Sequence, residues 1–179
     1  MTETLRSILE KERARSYIEV KNKEFSNEII QFKKELILDS SFSNVIFTNN
    51  KWIKLVVGRT DFSFSEVISS VWLNCFFDNV SFGPMDLVSS KVTSSVFSQC
   101  RFEGAQVTNT IFYKCSFLEG SLAGATFKSC EFIDTQWKLD FITGTLIDSK
   151  FTNSSSKKSI KFDEETYFID IQDQINNID

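Results

Sequence analysis

Large apolar residues recur at every fifth position through the middle of the chain. Stepping by five from Ile37 meets Phe42, Phe47, Trp52, Val57, Phe62, Val67, Trp72, Phe77, Phe82, Leu87, Val92, Phe97, Phe102, Val107, Phe112, Phe117, Leu122, Phe127, Phe132 and Trp137. At 41% hydrophobic residues, an unbroken run of this length has a chance probability of about 10⁻⁸. A helix repeats at about 3.6 residues and a flat strand at about 2, so neither produces this column.

A second column lies two residues before each centre and is mostly small: Ser40, Thr60, Ser65, Ser70, Cys75, Ser90, Cys100, Ala105, Cys115, Ala125 and Cys130 are examples. The two residues after each centre are rich in Asn and Gly, as at Asn44, Asn49, Asn74, Gly83, Gly104 and Gly124. Such residues tolerate the backbone angles of a tight corner. Each pentad therefore reads as a short extended side plus a corner, with a large centre and a small partner turned inward. Four sides close a square, the same side returning every twenty residues. After Trp137 the phase slips by one: the next centres are Phe141, Leu146 and Phe151, with Leu139, Gly144 and Ser149 as inward partners.

At this point the residues resemble the pentapeptide-repeat proteins, whose motif is a small residue, a polar residue, a central Leu or Phe, then two polar or small residues. Ala125-Thr126-Phe127-Lys128-Ser129 and Cys100-Arg101-Phe102-Glu103-Gly104 fit it well, although Asp precedes the centre only at Asp61 and Asp86. The resemblance implies an all-β solenoid, a right-handed quadrilateral β-helix, over 37–151. It also implies a binding or scaffold role without catalysis. Some members are dimeric, strongly acidic rods that mimic DNA, bind type II topoisomerases and protect them from quinolones or peptide toxins.

The flanks look different. Leu5, Ile8 and Leu9 share a helical face in a segment running to about Arg15, and Phe25, Ile29, Phe32 and Leu36 have helical spacing too. Residues 1–36 are thus expected as a helical cap on the open end of the solenoid, the alternative being that Phe32, in phase with the repeat, already belongs to the first coil. Thr152 to Lys158 reads as a polar linker. Asp163, Glu164 and Glu165 then look like a helix start, with Phe168, Ile171 and Ile175 on one face. Residues 152–179 would cap the other end or mediate dimerisation.

Charge narrows the partners. Formal net charge is −4, spread evenly, so no basic excess exists to hold phosphates or anionic lipid, and direct nucleic-acid binding is not expected. The same evenness makes a poor copy of DNA's charge density. No apolar run reaches the ~18 residues of a membrane span, so no membrane insertion is expected, and the N-terminus lacks the apolar stretch of a signal peptide. A cytoplasmic protein is the expectation. Histidine is absent, which removes imidazole bases, imidazole metal ligands and the usual Ser-His-Asp or Cys-His sites. Cys75, Cys100, Cys115 and Cys130 all fall on the small inward column with no CxxC pair, and read as buried fillers. No catalytic, cofactor or metal site is expected.

One outward feature stands out. Ile53, Val71, Leu73, Ile111, Tyr113 and Ile133 flank the centres of a single side, with Val56, Phe76 and Val96 beside the adjoining corner. Together they form an apolar strip along the rod, to be covered by the terminal segments, by an unknown protein partner or by a second copy of the chain.

Overall fold

Residues one coil apart lie side by side. Phe47 pairs in parallel with Val67, Trp52 with Trp72 and Val57 with Phe77, so four pentads make one turn of an all-β solenoid. The computed structural model describes residues 4–11, 18–31, 36–138, 144–152, 154–156 and 167–169.

Three of the four walls are parallel sheets of eight, seven and seven strands. The first sheet holds Ile46–Thr48, Glu66–Ile68, Asp86–Val88, Gln106–Thr108 and Ala125–Lys128. The second holds Lys51–Ile53, Val71–Leu73, Lys91–Thr93, Ile111–Tyr113 and Glu131–Ile133, and the third Val56–Gly58, Phe76–Asp78, Val96–Ser98, Ser116–Leu118 and Gln136–Lys138. The fourth wall pairs only through single bridges at Glu19, Ser41, Asp61, Ser81, Arg101 and Ser121. Eight rungs at about 4.8 Å make a rod about 34 Å long.

The central column fills the interior. Phe77, Phe97, Phe117 and Trp137 form one stack with ring centroids 5.1, 4.8 and 4.4 Å apart. Trp52 stacks on Trp72 at 5.1 Å. Edge-on contacts such as Phe77 with Phe82 join neighbouring stacks, the arrangement that ring quadrupoles favour.

Hydrogen bonding explains the small column. The backbone N–H two residues before each centre stands outside the ladder and needs another acceptor. In the second sheet a hydroxyl on the next rung supplies it: the N–H of Asn50 donates to Ser70 Oγ and that of Ser70 to Ser90 Oγ, each at 3.1 Å. Beside the bridge wall a β-turn does the same work, with the N–H of Ala105 donating to Phe102 O and that of Ala125 to Leu122 O. There the next rung needs no hydroxyl and carries Ala125 and Gly144 instead.

From Asp39 to Asp134 the residue two after the centre takes a positive φ at every corner except Pro84, as at Asn44 (56°), Asn49 (54°), Asn74 (54°), Gly104 (72°) and Gly124 (65°). Asn and Gly suit that conformation. Lys54, Arg59 and Phe64 are held in it too, at 54°, 45° and 62°.

The ends differ from the sequence expectation in three ways. The expected helix over Phe25, Ile29, Phe32 and Leu36 is instead strand: Glu24–Ser26, Ile29–Gln31 and Leu36–Leu38 extend the sheets, with Phe25 beside Phe47 and Ile30 beside Trp52. Phe25 belongs both to that helical spacing and to a five-residue step that ends on Ile30, and strand pairing wins because it satisfies backbone groups of Ile46–Thr48 and Lys51–Ile53. Phe32 lies outside the described residues. The expected linker is also part of the coil: Lys150–Thr152 and Ser155–Ser156 pair with the rung before. Finally, Phe168 sits in a strand, Tyr167–Ile169, against Gly144–Ile147, rather than in a helix. Asp163, Glu164, Glu165, Ile171 and Ile175 lie outside the described residues.

The phase slip is real. Leu146 pairs with Phe127 and Phe151 with Phe132, so that coil is one residue short; Leu139 and Phe141 are outside the described residues. At the N-terminus a helix does form, Leu5–Lys11, burying Leu5, Ile8 and Leu9. Glu28 anchors it, its carboxylate accepting from the N–H groups of Leu5 (2.9 Å) and Arg6 (3.2 Å), where a negative charge meets the positive end of the helix.

Candidate interaction surface

The corner joining the second and third sheets displays the strip residues in register. One outward column runs Ile53, Leu73, Thr93, Tyr113, Ile133 and another Lys51, Val71, Lys91, Ile111, Glu131. Across the corner, Val56, Phe76 and Val96 stack in the third sheet. Ile53, Val71, Leu73, Ile111, Tyr113 and Ile133 are all half-buried, and Phe76 is 40% exposed. The strip is therefore densest on the rung of Val71, Leu73 and Phe76, where Asn74 is the one polar residue between them, and further polar side chains interrupt it on the other rungs.

Sequence reading passed over three features of the rod's surface. Ile29, assigned there to a helix, begins the second sheet and is 63% exposed. Phe64, 65% exposed, stands apart from the strip, at the corner between the bridge wall and the first sheet. Lysines also rim the strip: Lys51, Lys54, Lys91 and Lys114 are all exposed, and Lys114 Nζ lies 5.0 Å from the centroid of Tyr113. Aligning the chain at steps of twenty is the signal that brings these lysines together.

The interior offers little reactive chemistry. Cys75, Cys100, Cys115 and Cys130 are buried and free. Burial pushes the Cys75 thiol from 9.0 up to about 11 and the other three to about 12. A thiol held protonated is a poor nucleophile and a poor metal ligand. Among the described residues no three Cys, Asp or Glu side chains converge on a metal position.

Charge alternates along the rod instead of gathering on one face. The coil 40–59 carries Lys51, Lys54 and Arg59 and no acid, whereas the coil 60–79 carries Asp61, Glu66 and Asp78 and no base. Arg59 grips Asp39 on the preceding rung through two bonds, at 2.6 and 2.8 Å, and this hydrogen bonding holds the Asp39 carboxyl below its usual range. Among the described residues no outward column has more than two acidic residues in succession; Glu66 beside Asp86 is the longest run in the first sheet.

No family model matches the chain, and no curated protein does. Solved structures do. A trypsin-treated form of QnrB1, a plasmid-mediated fluoroquinolone resistance protein, superposes with a TM-score of 0.59 at 18% identity, over 78% of this chain and 71% of that one. The fold is the pentapeptide-repeat β-helix. Full-length QnrB1 (13% identity, 82% of this chain and 92% of that one) and Rfr23, a pentapeptide repeat protein of the cyanobacterium Cyanothece 51142 (10%, 92% and 99%), give TM-scores of 0.35 and 0.40. Among the described residues no helix is long and apolar enough to cross a membrane.

Proposed function

We propose that this chain is a non-enzymatic protein-binding rod of the cytoplasm, and that the corner carrying Ile53, Val71, Leu73, Ile111, Tyr113 and Ile133 is its contact surface. The observation behind this reading is the registered apolar strip, which the described parts of the chain leave accessible. A rigid wall presenting fixed side chains loses little conformational entropy on binding, which favours a scaffold role. The test compares proteins captured by the wild type with those captured by Leu73→Lys and Tyr113→Lys, once circular dichroism shows all three equally folded. Loss of a specific partner, or of a dimer seen by light scattering, is expected in both variants. Identical capture and identical mass would remove the strip from consideration.

A second reading draws on the likeness to QnrB1: protection of a type II topoisomerase by imitation of DNA. DNA carries about one negative charge per 1.7 Å, roughly three per rung of this rod. Among the fully described coils only 60–79 approaches that density in net charge, and the coil before it is basic. The expected result of a gyrase supercoiling assay with a fluoroquinolone is no rescue; rescue at stoichiometric protein would establish the mimic.

A further inference from the structure

We propose that the corner between the second and third sheets docks a short acidic, apolar segment of a partner protein. This rests on the reading above and names the chemistry of the partner. The rung of Val71, Leu73 and Phe76 is apolar on this corner apart from the neutral Asn74. The rung below adds Lys51 and Lys54 beside Ile53 and Val56, the rung above Lys91 beside Val96, and the next Lys114 beside Tyr113. Over these four rungs no carboxylate stands in the outward columns of the corner; the first are Glu131 and Asp134, one rung further on.

Between residues 36 and 127 the chain has four lysines, Lys51, Lys54, Lys91 and Lys114, and all four bracket this apolar centre. A charge at the rim of an apolar contact loses part of its hydration when the contact forms, so an opposite charge placed there steers and orients the ligand more than it would on an open surface. From the first lysine rung to the last is about 14 Å at 4.8 Å per rung, the span of four or five extended residues. Leu or Phe side chains on alternate residues would lie against Leu73, Phe76 and Val96, and Asp or Glu between them would meet the lysines. A long polyanion or a lipid surface would extend beyond this window onto Glu131 and Asp134, so the bounded patch fits a peptide better.

Selection of a random peptide library displayed on phage against the full chain decides the matter. Enriched peptides are expected to combine Asp or Glu with Leu, Ile or Phe. The variant K54E/K91E is expected to weaken the best of them by about tenfold, and so is a rise in salt, while leaving the thermal midpoint unchanged. Neutral or basic peptides that are lost on Leu73→Lys would overturn the acidic partner but keep the strip as an interface. Peptides insensitive to both Leu73→Lys and the charge reversal, or no enrichment, would overturn the site itself. Binding to vesicles with 30% phosphatidylserine that is abolished by K54E/K91E would replace the peptide with a membrane surface.

Discussion

The four thiols occupy the same place in the pentad as serine and threonine, and each lies within hydrogen-bond reach of the backbone one coil below, at Leu55, Val80, Ser95 and Thr110. Their acid–base behaviour gives a sign that can be checked. Burial raises the folded value from 9.0 to about 11 or 12, so folding holds protons that the unfolded chain releases above pH 9. The thiols therefore contribute no pH dependence below about 9 and lower stability progressively between about 9 and 12. Thermal melts across that range should show a falling midpoint, and a variant with all four cysteines changed to serine should show a shallower fall. Phe64 makes the opposite case. It holds a left-handed backbone, is 65% exposed and gains little from burial. Phe64→Asn should raise stability by about 1 kcal/mol, seen as a higher urea midpoint with unchanged slope; a lower midpoint would mean the ring is held by contacts worth more than the strain.

At the level of the element, the repeat and the first helix with Leu5, Ile8 and Leu9 were legible in the sequence, and the strands that extend the coils at either end were not. The column from Ile37 to Trp137 carries its period in every coil, so its strands, its stacking and even the one-residue slip before Leu146 follow from counting. Phe25 serves both readings, with Ile29 on a helical face or with Ile30 at the five-residue step. Only the backbone groups of the rung above them decide, and those belong to residues more than twenty positions away. The bridge wall is the element least visible beforehand. Gly83 lies so close to the next rung that an added Cβ would stand 2.1 Å from Glu103 O and 2.6 Å from Glu103 N. Gly83→Ala should accordingly cost about 2–3 kcal/mol, measured by chemical denaturation, whereas Gly104→Asn, at an open corner with φ of 72°, should be close to neutral. Equal effects at the two sites would contradict the packing described for this wall.

For the whole molecule, the apolar half of the candidate surface could be read from the sequence, because Ile53, Leu73 and Tyr113 share one side once the period is known. Its charged rim could not, since lysines scattered through a polar chain acquire meaning only when the coils are stacked. Near-identical coils also create a hazard that a globular core does not face. A strand displaced by one entire turn would still set Phe on Phe and serine on serine, and the interior would hardly register the mistake. What tells one turn from the next is the unequal part: the adjacent tryptophans at 52 and 72, the basic coil lying on the acidic one, and Arg59 reaching to Asp39. These decorations act as an address for each turn, so that a chain built from a single repeated phrase has only one way to be wound.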